Sequence, residues 1–94
     1  MNKNYRSRQQ IIESILVPAQ DAGQQGIAIT NLMRKSNLSH GRVNDFIEKL
    51  TGNGLINKIE FDGKNTFIIT EKGRLYLQEY KKYQNIAQTF GLDL

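Results

Sequence analysis

The sequence predicts a mainly α domain carrying one β-hairpin, an α+β arrangement in the order helix, helix, helix, strand, strand, helix. Three observations predict it. Apolar residues recur at steps of three and four in four separate stretches, the period changes to β-branched and aromatic runs between Leu55 and Ile69, and no repeat or linker interrupts the 94 residues. The chain is read as one domain over 1–94, with a core over 6–70 and a terminal helix over 71–90. A chain this short buries only roughly 60–65% of the surface its unfolded form exposes, so a partner subunit would help its stability.

In the first helix Ile11, Ile12, Ile15, Leu16 and Ala19 share one face and Ser7 is the N-cap. Pro18 lacks an amide proton and is expected to bend or end this helix early, and Gly23 with Gly26 closes the segment. Gly26-Ile27-Ala28 leads into a shorter second helix that starts at Ala28 or Thr30, turns Ile29, Leu32 and Met33 inward, and stops near Ser36-Asn37. After a brief turn at Leu38, Ser39 caps a third helix, Ser39 to Asn53, in which Val43, Phe46, Ile47 and Leu50 repeat the helical spacing. Gly54 is its stop signal, because glycine adopts the left-handed conformation cheaply. Leu55 to Phe61 and Thr66 to Ile69 read as strands. A three-residue loop, Gly63 to Asn65, sets Phe61 opposite Phe67 and Ile59 opposite Ile69, leaving one apolar face. Thr70 then caps the last helix.

Thirteen Lys and Arg against nine Asp and Glu give a net charge of +4. The placement says more than the sum. Between Asp21 and Asp45 there is no acidic side chain, while Arg34, Lys35, His40 and Arg42 all fall there; Lys3, Arg6 and Arg8 form a second acid-free group, read as a basic arm. There is no cysteine, which excludes disulfides and thiolate metal sites and points to a reducing compartment. The first apolar run, Ile11 to Val17, contains Glu13 and is too short for a signal or membrane segment, so a soluble cytoplasmic protein is expected. His40 is the lone histidine and no carboxylate pair stands at ligand spacing. Gly63-Lys64-Asn65-Thr66 is similar to the tail of a phosphate loop, but Lys58 stands where that motif needs glycine. No enzymatic activity, cofactor, metal or small-molecule substrate is therefore expected.

Two helices joined by a short turn, with a hairpin directly after the second, present that second helix to the major groove of DNA. Its apolar stripe leaves Gly41, Arg42, Asp45 and Lys49 on the outer face and His40 and Asn44 at the flanks. The helix N-terminus with the Ser39 hydroxyl favours a phosphate nearby. Asp45 and Glu48 offset Arg42 and Lys49, so either these acids position the arginine and read cytosine amino groups, or the helix faces something other than DNA.

The segments Asn37-Leu38-Ser39-His40, Phe46-Ile47-Glu48-Lys49-Leu50 with Gly54-Leu55-Ile56, and Thr70-Glu71-Lys72-Gly73-Arg74-Leu75-Tyr76-Leu77 carry a resemblance. From about Arg6 onward the chain resembles the small archaeal winged helix-turn-helix DNA-binding proteins that add a long C-terminal helix. The resemblance implies double-stranded DNA as partner, a role as transcriptional regulator or nucleoid-associated chromatin protein, and a homodimer joined through the last helix. It assigns the outer positions of Ser39 to Lys49 to bases or phosphates, and Lys64 with Asn65 at the wing tip to phosphate or minor groove. Arg34 and Lys35 either join this surface or simply complement the dipole at the end of the second helix. In the last helix Tyr76, Tyr80, Tyr83, Ala87 and Phe90 form a heptad-like, coiled-coil seam flanked by Leu75, Leu77 and Ile86. That seam packs either on the chain's own core or on a second copy. A competing reading makes the domain a protein-interaction module of a larger assembly, motivated by Asp45 and Glu48.

Overall fold

In the computed structural model, which describes residues 6–92, the elements are α1 (Arg8–Ala22), a 3₁₀ turn (Gly23–Gln25), α2 (Ile29–Ser36), α3 (His40–Gly52), β1 (Ile56–Phe61), β2 (Lys64–Ile69) and α4 (Glu71–Thr89). This is the expected α-α-α-β-β-α order.

Each helix that starts at a serine or threonine begins where a side-chain oxygen replaces a missing backbone acceptor. The Ser7 hydroxyl accepts from the Gln10 amide at 3.1 Å while the Gln10 side chain accepts from the Ser7 amide at 2.9 Å, a complete capping box. Ser39 accepts from the Arg42 amide at 3.3 Å and Thr70 from the Gly73 amide at 3.0 Å. Arg8 is already helical, so of the proposed basic arm only Arg6 precedes α1 among the described residues, and Lys3 lies outside them.

Pro18 does not end α1, which continues through it to Ala22. Ile15, Leu16 and Ala19, each at most 1% exposed, anchor the helix in the core on both sides of the proline. Their burial outweighs the one hydrogen bond lost there. α3 ends in a Schellman arrangement: Gly54 at φ 76° donates to the Thr51 carbonyl at 3.1 Å, and Leu55 donates to Leu50 at 2.9 Å.

The hairpin register differs from the expected one by three residues. Ile56 pairs with Ile69, Lys58 with Phe67, Ile59 with Thr66 and Phe61 with Lys64. The loop is only Asp62-Gly63, at φ 54° and 77°, the pair of positive angles that defines a type I′ turn. An odd shift turns Phe61 and Ile59 to the sheet face opposite Phe67 and Ile69. Ile56, Phe67 and Ile69 therefore enter the core while Phe61 stays 43% exposed. Ile27, unassigned in the sequence, is a core residue that exchanges two 2.9 Å backbone bonds with Phe67. β2 is thus flanked on both sides, and β1 is an outer edge.

The core unites Ile11, Ile15, Leu16 and Ala19 of α1, Leu32 of α2, the α3 stripe Val43, Phe46, Ile47 and Leu50, and the three hairpin residues. α4 joins through Tyr76 and Leu77, which pack against that cluster. Its start is tied to the end of α3. The Thr70 hydroxyl donates towards the Gly54 and Leu55 carbonyls (2.6 and 3.0 Å), and the Lys72 ammonium donates to the Asn53 carbonyl at 2.7 Å. Lys72 is thus a bonded cation at the carbonyl end of α3.

Candidate nucleic-acid interface

The burial of Val43, Phe46, Ile47 and Leu50 fixes the rotation of α3 about its axis. With 3.6 residues per turn, the row pointing most directly outward is then Gly41, Asp45, Glu48 and Gly52, all exposed. Asn44 and Thr51 flank this row on one side and Arg42 and Lys49 on the other. The first flank faces the hairpin: Asn44, Glu48, Thr51 and Lys58 line a cleft floored by Ile47 and Phe67. The second flank holds Lys49 with its ammonium 5.9 Å from the centre of the Phe46 ring, within cation–π range.

The residues expected at the interface fall into three places. The N-cap Ser39 and His40, Gly41, Arg42, Asn44, Asp45 and Lys49 of α3 are all exposed. Lys64 and Asn65 are exposed at the hairpin tip, opposite Phe61 and Glu60. Arg34 and Lys35 are exposed in the last turn of α2, where the Arg34 guanidinium donates to the Asn31 side-chain carbonyl. Lys58 is an addition that the sequence reading misses. With the Asp62-Gly63 turn recognised, its place opposite Phe67 on the α3 side of the hairpin follows from strand alternation.

No ion pair among the described residues neutralises the charge on this surface. Among the described residues the ion pair formed is Glu79 with Lys82 on α4, at 3.2 Å. Arg42, Lys49, Lys58 and Lys64 therefore keep their full charge for a partner, and so do Asp45 and Glu48. The net charge of the α3 face is zero because the two acids cancel Arg42 and Lys49.

The proposed seam of α4 is divided. Tyr76 and Tyr80 turn toward α1, and burial first holds both phenols above the ordinary value of 10.0, followed by Tyr80 and then the Glu13 carboxylate for Tyr76, and by Glu13 and then Tyr83, against a lowering hydrogen bond with Gln84, for Tyr80. Their rings stack at 6.2 Å, and Tyr80 stacks on Tyr83 at 6.5 Å. Ala87 is buried, whereas Tyr83, Ile86 and Phe90 are 50, 59 and 73% exposed on a common face. Ile86, read from sequence as a flank, belongs to the centre of that apolar strip. Among the described residues no helix is long and apolar enough to cross a membrane.

Comparison with known proteins follows the same lines. A family model described as winged helix-turn-helix matches residues 5–88. None of the curated proteins matches the sequence. Among solved structures, Sso10a-2, a DNA-binding protein from Sulfolobus solfataricus, superposes with a TM-score of 0.73 at 19% identity, over 90% of this chain and 85% of that one. SSV1 F-93 gives 0.64 at 20% identity, over 96% and 99% of the two chains. A MarR family protein from Bacillus stearothermophilus gives 0.65 at 17% identity, over 99% of this chain and 64% of the other. At these identities the structural likeness speaks for the fold.

Proposed function

The chain belongs to the winged helix-turn-helix family, and from that premise we propose that it binds double-stranded DNA without catalysing a reaction, laying α3 in the major groove and the β1–β2 wing on the flanking backbone. One observation carries this reading. Among the described residues none covers the outward row Gly41, Asp45 and Glu48 of α3 or its flanking Arg42, Asn44 and Lys49, and the wing stands beside it. That is the geometry in which a helix of about 10–12 Å diameter enters a major groove about 12 Å wide. Arg42 and Lys49 supply cations on one flank and Lys58 and Lys64 on the wing side. Asp45 and Glu48 face the groove floor, where they accept from cytosine amino groups. The DNA-binding protein from Sulfolobus solfataricus, with the same fold, supports the assignment. The proposed setting is regulation of transcription or organisation of the nucleoid, in the cytoplasm.

The protein acts as a homodimer in this reading. Tyr83, Ile86 and Phe90 form the strip that a second α4 covers, and the dimer presents two copies of α3 to one duplex.

Titration of a duplex at several salt concentrations tests the function. Log affinity should fall with log salt by about 0.9 per phosphate neutralised, and Arg42→Ala should weaken binding and reduce that slope by about 1 if it contacts phosphate. A salt-independent response argues against DNA. The balanced charge of α3 favours a second reading, a protein-docking helix within a larger assembly. In that case Arg42→Ala leaves DNA affinity unchanged and impairs association with the protein partner.

A further inference from the structure

The outer edge of β1 carries an inference that rests on the DNA-binding reading and extends it to the contact between neighbouring copies. The two bonds between Ile27 and Phe67 turn the Phe67 backbone away from β1. In an antiparallel pair, the residue opposite such a position also turns its amide and carbonyl outward, and so do the residues two positions on either side. Opposite Phe67 stands Lys58. Lys58 and Glu60 therefore direct their backbone groups to the open side of β1. Among the described residues neither makes a backbone bond outside the hairpin.

An open edge of this kind accepts another strand, and the side chains decide which strand and in which register. Three antiparallel registers set Lys58 or Glu60 of one β1 against Lys58 or Glu60 of another. Centred on Lys58, the register sets lysine against lysine; centred on Glu60, it sets glutamate against glutamate. Centred on Ile59, it sets Lys58 of each copy against Glu60 of the other, twice, and places the half-buried Ile59 against its own counterpart. The exposed Phe61 then lies beside the other copy's Asn57. Charges on an edge strand ordinarily repel further strands. Here their alternation makes the edge complementary to itself in one register alone.

We propose that β1 of one DNA-bound copy pairs with β1 of a copy bound beside it, antiparallel and two-fold about Ile59, so that binding along a long duplex is cooperative. The contact is small, and proximity on the duplex supplies the effective concentration that it needs.

Binding is measured on a short duplex that holds a single unit and on one several times longer. The wild-type protein should bind the long duplex with a steeper curve. Glu60→Lys should tighten binding to the short duplex by removing an acid and adding a cation, yet lower the cooperativity factor by roughly 5- to 10-fold through two reversed pairs. The double variant Lys58→Glu with Glu60→Lys should regain it. Equal steepness for wild type and Glu60→Lys, or no recovery in the double variant when its steepness is compared at matched occupancy of the short duplex, overturns the proposal, while single-site binding by the wild type keeps the underlying function. Loss of binding to the short duplex would instead refute the underlying function, and a second measurement keeps the edge pairing testable even then. The chain has no cysteine, so Ile59→Cys should form a cross-linked dimer on mild oxidation at high concentration. Asn57→Cys, four residues out of register with itself, should not. Equal cross-linking by both variants, or by neither, counts against the proposed pairing.

Discussion

Replacing Gly73 with alanine should destabilise the fold, although Gly73 sits inside a helix where alanine is intrinsically preferred. A Cβ at this position would collide with the Leu55 carbonyl oxygen and come within 2.6 Å of Ile69 Cγ1. Neither neighbour can retreat easily. The Leu55 carbonyl accepts from the Thr70 amide at 3.1 Å and from its hydroxyl at 3.0 Å, and Ile69 is a core residue 6% exposed. α4 must shift instead. Crowding of this kind costs about 1–3 kcal/mol. Weakening the Thr70 cap costs about 1 kcal/mol more, and the helix propensity gained, about 1 kcal/mol, offsets that loss. The net expectation is a destabilisation of about 1–3 kcal/mol, a fall in Tm of roughly 5–20 °C for a domain of this size. Gly41 provides the control, since a Cβ added there meets nothing within 4 Å. Gly41→Ala should be neutral or stabilising by up to about 1 kcal/mol. Thermal and urea unfolding followed by circular dichroism, at one fixed protein concentration, compares the two. A Gly73→Ala protein as stable as wild type would refute the close approach of α4 to the α3–β1 corner.

The remaining expectations address the surface. Asp45→Asn with Glu48→Gln should raise affinity for arbitrary duplex by about tenfold at low ionic strength, since the α3 face then goes from zero net charge to +2; unchanged binding would place that face away from DNA. Tyr83→Asp should shift the mass seen by light scattering from two chains to one, and a wild-type protein that already weighs one chain at high concentration would remove the proposed α4 interface. For pH, the folded state raises the Tyr76 pKa above its ordinary value of 10.0. The stability linked to that phenol is therefore complete below the unfolded value and is lost as pH rises through the folded one. Tyr76→Phe should flatten the decline in urea midpoint between pH ~9 and ~11; an identical decline in both proteins would show that Tyr76 does not contribute.

What the sequence makes legible is local. Ser7, Ser39 and Thr70 are readable as caps because each acts on an amide three residues away, and the α3 stripe is readable because helical periodicity needs no tertiary information. The exposed side of α3 follows from that stripe, and with it most of the candidate interface. A three-residue loop starting at Gly63 misplaces the hairpin register, because Asp62-Gly63 itself encodes the two-residue turn. Lys58 escapes notice for the same reason. Ile27 and Lys72 are beyond local reading, since the first earns its place by pairing with Phe67 on a strand far along the chain and the second by reaching back to Asn53. In α4 the spacing identifies an apolar stripe, but how α1 divides it between Tyr76 and Tyr83 depends on packing that no repeat in the sequence expresses.

The knot at Thr70 and Lys72 joins the carbonyl end of one rod to the amide end of another, so a swing of the long arm would pull on the rod proposed to read the groove. In a pair of copies held along their arms, the arm angle would set the separation and rotational phase of the two reading heads. One turn of B-DNA, about 34 Å, is then the gauge for that angle, and any molecule that wedges the arm aside would detune the pair without touching either head.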